Sequence, residues 1–136
     1  MRRLVLALIA HDSKKEEIVV LAKAHREELA QLDLVATRST GALIQARTGL
    51  SVTLMESGPH GGDQQVGALV ARGEVQAVIF LRDPLTAQAH EPDISALLRI
   101  CDVHDVPLAT NSTTAEAVLS YIARQRSCIE TEPALV

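Results

Sequence analysis

Two stretches of the chain carry side chains that can move protons beside a bound anion. The first is the glycine-rich run Ser57-Gly58-Pro59-His60-Gly61-Gly62-Asp63-Gln64-Gln65, in which a carboxylate stands where a helical pattern begins. The second brings His90 and Asp93 to the start of another helical pattern. A glycine loop that leads into a helix presents free N–H groups to an anion. A carboxylate beside it can take a proton, and a histidine can shuttle one. We therefore expect acid–base chemistry on a small phosphorylated compound.

Each of these features also allows a structural interpretation. The glycines of the run can take positive φ in a surface turn, and Asp63 can cap the helix that follows. A hydroxyl run, Thr37 to Thr40, precedes a short helix predicted over Ala42–Arg47 and can supply either helix caps or a phosphate cradle. A divalent cation could be held by the carboxylates Asp12, Asp63, Asp83 and Asp93. The histidine and hydroxyl groups are not arranged as further oxygen ligands, so no metal is predicted.

Five short apolar segments predict the strands that position these groups. They are Leu4 to Ala10, Leu32 to Ala36, Ser51 to Met55, Val75 to Leu81 and Val106 to Ala109. Helical patterns alternate with them, which predicts an α/β domain with right-handed crossovers and a mostly parallel sheet. Polar clusters follow the strands, at His11-Asp12, Thr37 to Thr40, Ser57 to Asp63, Asp83 and Asn111. Because ligands of such sheets bind outside the carboxyl ends of the strands, this coincidence predicts a small-molecule site.

The composition excludes several other classes of function. The chain has 136 residues, one Tyr, one Phe, no Trp and a net charge of −4. Neither aromatic stacking nor a basic surface is available for nucleic acid or for an anionic membrane. The sequence contains neither a Walker lysine motif nor a Gly-x-Gly-x-x-Gly after the first strand, so nucleotide binding is not predicted.

The same length predicts a single domain over residues 1–126, followed by a flexible tail over 127–136. The apolar run at Leu4 to Ala10 is short and leads to His11 without a small-residue cleavage site, so we interpret it as a buried strand and expect a cytoplasmic protein. Cys101 lies in an apolar helical stripe and is expected to be a small core residue.

The motifs, taken together and in order, resemble those of methylglyoxal synthase from Leu4 to about Ile122. The stretches that carry the resemblance are Ala10-His11-Asp12-x-x-Lys15, Ala36-Thr37-x-Ser39-Thr40-Gly41, Ser57-Gly58-Pro59-x-Gly61-Gly62-Asp63-Gln64-Gln65-Val66-Gly67, Asp83-Pro84-Leu85, His90-x-Pro92-Asp93 and Ala109-Thr110-Asn111. The resemblance implies a three-layer α/β/α fold and a lyase that converts dihydroxyacetone phosphate to methylglyoxal and phosphate. It also implies a homohexamer that needs no metal or organic cofactor, with phosphate as product and inhibitor.

The resemblance further implies a role for each site residue. Asp63 would be the general base that yields an enediolate, and His90 would hydrogen-bond the substrate oxygens and assist proton transfer. The reacting end would be lined by Asp12, His11 and Asp93 and supported by Asp83. The phosphate would be held by Lys15, Thr37, Ser39, Thr40, Ser57 and Gly58.

One position departs from the family pattern, and one alternative function shares the fold. Arg38 stands where the family usually has glycine, which would strain the backbone if that position required positive φ. Regulatory domains of larger enzymes, such as the effector domain of carbamoyl-phosphate synthetase, bind anions on the same fold without catalysis. Such a module has no need of a base like Asp63 or a proton shuttle like His90. A purely structural assembly protein would leave the polar clusters unexplained.

Overall fold

A sheet of five strands, all parallel, forms the centre of the protein. The computed structural model describes residues 3–131. The strands are β1 (Val5–Ala10), β2 (Asp33–Ala36), β3 (Thr53–Leu54), β4 (Ala77–Leu81) and β5 (Leu108–Ala109), in the order β3-β2-β1-β4-β5. The predicted parallel sheet is confirmed, and its strands are shorter than the apolar runs that predicted them.

Helices cover both faces of the sheet. They are α1 (Lys15–Ala24), α2 (Arg26–Leu29), α3 (Arg38–Thr48), α4 (Gly62–Ala71), α5 (Glu91–Val103) and α6 (Ser112–Thr131), with 3-10 turns at Asp12–Lys14 and Gly58–His60. Successive side chains of a strand point to opposite faces. From β1, Leu6 and Leu8 therefore enter a core shared with α1, α3 and α6, whereas Ala7 and Ile9 enter a core shared with α4 and α5. The expected three-layer α/β/α fold is confirmed.

Helix α3 begins four residues before the predicted Ala42, so the hydroxyl run forms its first turn. Serine, threonine and glycine are weak helix formers, which is why the pattern placed the start too late. Packing explains the difference. A Cβ at Gly41 would lie 2.3 Å from Cδ2 of Leu54, so only the absence of a side chain lets this turn pack directly on the sheet.

Helix α6 is longer than predicted. Residues 127–131, assigned by sequence to a tail, form its last turn and a half, and residues 132–136 lie outside the described residues. The apolar stripe continues through Ile122 to Ile129, which packs against the core. An i,i+4 ion pair joins Arg126 Nη1 to Glu130 Oε1 at 2.7 Å. Among the described helices, none combines the length and the apolar character needed to cross a membrane.

Candidate active site

Loops at the carboxyl ends of β1 to β4 surround a cavity of about 90 Å³. Most of the predicted site residues line it: His11, Asp12, Lys15, Thr37, Ser39, Ser57, Gly58, Asp63 and His90. The parallel topology brings these residues together, because every strand that carries them ends at the same edge. The cavity therefore lies where the polar clusters predicted a small-molecule site.

The glycine loop owes its shape to a few backbone contacts. The carbonyl of Ser57 accepts hydrogen bonds from the N–H groups of His60, at 3.0 Å, and of Gly62, at 2.9 Å. Of the loop's glycines only Gly61 takes positive φ, at 100°. The others are needed for close approach: a Cβ on Gly62 would lie 2.0 Å from the carbonyl oxygen of Glu56, and one on Gly58 would lie 3.0 Å from His90 Nε2. The expectation of positive φ holds at one glycine and is wrong for the other two.

Asp63 lies in the first turn of α4 and is 1% exposed. Neither carboxylate oxygen has a hydrogen-bond partner among the described residues, and His90 Nε2 lies 3.5 Å from Oδ2. Burial raises the pKa of Asp63, and the charge of His90 opposes that rise. The residue before the helix makes no side-chain cap, and Asp63 caps nothing, so its interpretation as a structural cap is wrong. A desolvated carboxylate of this kind is a stronger base than one in water.

His11 is held as a neutral donor. Its Nδ1 accepts the backbone N–H of Asp83 at 2.8 Å, which places the ring proton on Nε2. That Nε2 is buried and has no partner among the described residues, as is Nδ1 of His90. Burial, followed by the charge of His90, lowers the pKa of His11. The two rings lie edge to face with centroids 6.2 Å apart, so two imidazoles border the space next to Asp63.

The cavity also carries groups suited to an anion. Lys15 Nζ donates to the carbonyl of Ala10 and lies 3.7 Å from Asp12 Oδ1, while burial lowers the lysine pKa. The first i→i−4 bond of α3 runs from Gly41 N–H to Thr37 O at 2.8 Å. The N–H groups ahead of it, at Ser39 and Thr40, therefore precede the hydrogen-bonded turn, where a helix favours negative charge.

Sequence and fold comparisons point to one family. The MGS-like domain family matches residues 17–110. A methylglyoxal synthase of Cupriavidus metallidurans is 59% identical over 129 residues, which cover 95% of this chain and 91% of the relative. The chain belongs to the MGS-like family. A methylglyoxal synthase of Thermus thermophilus is 57% identical over 119 residues, covering 88% of this chain and 94% of the relative. A crystal structure of methylglyoxal synthase from Elizabethkingia anophelis superposes with a TM-score of 0.82 at 42% identity, covering 87% of this chain and 78% of that one.

Three predicted site residues do not line the cavity of this family member. Thr40 Oγ1 faces β1, lying 3.3 Å from Ala10 N and 3.4 Å from Ala10 O, so it braces the strand. The carboxylate of Asp93 accepts a hydrogen bond from Gln64 at 2.8 Å, and its charge contributes to the raised pKa of Asp63. Asp83 reaches the site through its backbone N–H alone.

The Asp83 side chain joins two loops instead. It accepts hydrogen bonds from Ser13 Oγ at 2.9 Å and from Leu85 N–H at 3.0 Å. A hydrogen bond with Thr86, then those with Leu85 and Ser13, lower its pKa to about 2. This clasp fixes the backbone N–H that orients His11. No pattern in the sequence indicated Ser13 for this role.

Gln88 lines the cavity and was also missed by the sequence analysis. Its only signal is its place in the loop between Asp83 and His90. Among the described residues no group of three or more His, Cys, Asp or Glu side chains could hold a metal ion, because the carboxylates named for a cation do not converge. Cys101 is buried in the core as expected, and burial raises the pKa of its thiol to about 11.

Proposed function

We propose that the protein is a lyase that converts dihydroxyacetone phosphate into methylglyoxal and inorganic phosphate. One observation carries the proposal: Asp63 is a buried carboxylate that accepts no hydrogen bond from the described residues, and it lines a cavity that also carries groups suited to an anion. The chain that carries Asp63 is more than half identical in sequence to proteins named methylglyoxal synthase. In a regulatory module, a buried carboxylate without hydrogen bonds would lower the stability of the fold and serve no function, because no proton has to be abstracted there.

Asp63 is the general base in this proposal. It takes a proton from the hydroxymethyl carbon, and the electron pair of that C–H bond moves toward the carbonyl to give an enediolate. Burial favours this step because it keeps the carboxylate from being solvated and so raises its proton affinity. Asp93, hydrogen-bonded outside the cavity, strengthens the base through its negative charge rather than by touching the substrate.

The imidazoles stabilise the negative charge that develops on the substrate oxygens. Neutral His11 donates the proton on Nε2 in a hydrogen bond to one oxygen. His90 provides a second donor and transfers protons from one substrate oxygen to another. Donors fixed before the reaction are effective because they need no reorganisation as charge appears. The electrons of the enediolate then expel phosphate as the carbon–oxygen bond breaks. The enol that remains gains a proton at its methylene carbon, loses the proton of its hydroxyl group and becomes methylglyoxal.

The phosphate is bound by other groups that line the same cavity. Lys15 supplies a positive charge, Thr37, Ser39 and Ser57 supply hydroxyl groups, and Gly58 allows the backbone to approach closely. Asp12, whose side chain is exposed, lies 3.7 Å from Lys15 Nζ and balances its charge. Donors of this kind also stabilise the leaving group, because phosphate departs with more negative charge than the ester carried.

The decisive experiment is incubation of the purified chain with dihydroxyacetone phosphate while methylglyoxal and phosphate are measured together. Equal release of both is expected. Saturable binding of the compound without turnover would contradict the proposal and would favour the anion-binding regulatory class. A metal chelator should leave the rate unchanged, since the proposed steps use side chains alone.

We also propose that the protein is a homohexamer and acts in the cytoplasm. Large apolar side chains, those of Val20, Leu85 and Val103, are exposed in the isolated chain and offer surface for assembly. Light scattering of the purified protein tests the assembly: six times the mass of 14.6 kDa is expected, and a monomer would contradict it. Fractionation of cells tests the location.

A further inference from the structure

His60 lies beside a predicted phosphate ligand, although neither the motifs nor the family resemblance gives it a role. Its Nδ1 is 2.7 Å from Oγ of Ser57, a normal hydrogen-bond distance. The backbone bond from His60 N–H to Ser57 O, at 3.0 Å, holds the two residues in one 3-10 turn. The His60 ring is exposed, whereas Ser57 lines the cavity. The pair therefore connects solvent to the proposed phosphate site.

A hydroxyl group has one proton, so its two neighbours compete for it. If Nδ1 of His60 carries no proton, it accepts the proton of Ser57, and the hydroxyl oxygen presents only lone pairs to the cavity. If Nδ1 is protonated, in the neutral Nδ1–H tautomer or in the imidazolium, the ring donates to Ser57 Oγ. The Ser57 proton can then turn into the cavity and reach an anion. Only the second arrangement favours phosphate.

We propose that His60 is a positioning residue that sets the direction of the Ser57 hydroxyl, and that a phosphate group in the cavity selects the form of His60 with a proton on Nδ1. The inference rests on the proposed function only in that the cavity receives a phosphate group. It does not require that the phosphate be released by catalysis. Hydrogen bonds in such a chain polarise one another, so the bound form gains a stronger donor than Ser57 alone provides.

The ring proton should be observed directly rather than through a pH profile. Lys15, Asp12, Asp63, His11 and His90 all border the same cavity. A phosphate monoester also loses its second proton near pH 6, so a pH profile of binding would mix several groups. The nitrogen-15 shift of a histidine ring distinguishes a protonated nitrogen from an unprotonated one and can be assigned to His60 with a His60→Asn sample.

The experiment is nitrogen-15 NMR of the histidine-labelled full chain without and with saturating inorganic phosphate. We expect Nδ1 of His60 to change from unprotonated to protonated on binding. The exposed ring of His104, at the end of α5, serves as an internal control that should not change. In Ser57→Ala at saturating phosphate, the change at His60 should disappear. A His60 signal that ignores phosphate, or one that still responds in Ser57→Ala, would overturn the proposal.

Binding gives a second readout that a merely structural role would not reproduce. His60→Leu should lower the affinity for inorganic phosphate and raise KM, each about two- to tenfold, which is the contribution of one ordinary hydrogen bond. The value of kcat should stay nearly constant. His60→Asn, whose amide can donate to Ser57, should recover most of that affinity. Equal losses in both variants would overturn the proposal. Because phosphate alone is the probe, failure of the chain to make methylglyoxal would refute the proposed function without affecting this result.

Discussion

The two ends of the sheet differ in a way that volume does not reveal. At the amino ends of the strands, a groove of about 670 Å³ is lined by Arg3, Arg26 and Arg72. Each guanidinium has a partner: Arg3 pairs with Asp33 at 2.9 Å, Arg26 donates to the carbonyl of Thr48 at 2.7 Å, and Arg72 pairs with Glu74 at 3.1 Å. These charges are used to hold the fold.

The cavity at the carboxyl ends is much smaller, yet it leaves polar atoms unsatisfied. His11 Nε2, His90 Nδ1 and both oxygens of Asp63 are buried without a partner among the described residues. The other such atoms, on Arg82 and Ser112, also follow strands at this end. Buried polar groups are almost always hydrogen-bonded in a fold, and an exception has a cost in stability. Buried polar atoms without hydrogen bonds, rather than a large volume, therefore distinguish the cavity from the groove.

The largest expected effect comes from Asp63→Asn. Turnover should fall by about 10²- to 10⁴-fold, the contribution of a general base, while phosphate still binds. The variant should also be more stable than the wild type near neutral pH, by roughly 1–3 kcal/mol, because it removes a buried carboxylate that accepts no hydrogen bond from the described residues. Urea unfolding and a turnover assay measure the two effects on one sample.

The pH dependence gives this prediction its sign. Burial raises the pKa of Asp63, so the folded state holds the proton more tightly than the unfolded state. Wild-type stability should therefore fall as pH rises from the usual aspartate range to the folded pKa, and Asp63→Asn should lack this decline. The matched control is Asp102→Asn, which removes an exposed carboxylate of α5 that does not line the cavity and should leave the decline in place. Near-normal turnover in Asp63→Asn would show that the base is another group.

Lys15→Met should have the next largest effect, on binding. Loss of a charge-assisted contact should lower the affinity for inorganic phosphate about 10- to 100-fold, with a smaller change in kcat. Isothermal titration with phosphate measures it. The neighbouring Lys14, which does not line the cavity, provides the control Lys14→Met with expected binding near that of the wild type. Equal effects of the two substitutions would mean that net charge, not position, attracts the anion.

Arg26→Met tests the other side of the comparison, because it lies in the satisfied groove. The Thr48 carbonyl would lose its donor, so the free energy of unfolding should decrease by about 1–2 kcal/mol. Turnover per folded molecule should not change. This is the opposite of the result for Asp63→Asn in both measurements. A loss of turnover at full stability would show that the two ends of the sheet are functionally coupled.

Sequence patterns were sufficient for the fold and for predicting that most of these polar residues meet at one cavity, and the reason is physical. Apolar strands that alternate with helices leave few arrangements, and parallel strands bring their following loops to one edge. Direction of side chains is a different matter. Thr40 and Ser39 are adjacent hydroxyl residues in one motif, yet only Ser39 reaches the cavity, because the early start of α3 turns Thr40 toward β1.

The same limit applies to the acidic residues and to the end of the chain. Asp83 follows β4 and Asp93 lies in the first turn of α5, as expected. Each carboxylate, however, accepts a hydrogen bond from a donor that lies far away in sequence, Ser13 for Asp83 and Gln64 for Asp93. Such pairs depend on which loops meet, and no local pattern encodes that. The last turn and a half of α6 was missed for a related reason, since Ile129 gains its meaning only from the core on which it packs.

Arg38→Gly should have the smallest effect, although Arg38 is the residue that departs from the family pattern. Arg38 opens α3 directly after Thr37, and among the described non-glycine residues only Asp105 has positive φ, so the arginine is not strained. Its Nη2 lies 3.5 Å from Oε2 of Glu56, and both side chains are about half exposed, at 56% and 51%; such surface pairs contribute at most about 1 kcal/mol.

We therefore expect Arg38→Gly to change the free energy of unfolding by less than about 1 kcal/mol and to leave turnover intact. Glu56→Gln, which removes the partner while keeping the arginine, is the control for the ion pair. Urea unfolding and the methylglyoxal assay measure both variants. A collapse of turnover in Arg38→Gly alone would place its guanidinium in the phosphate site. An ion pair within the protein would then no longer distinguish structural arginines from functional ones, because Arg38 would bind phosphate although it pairs with Glu56.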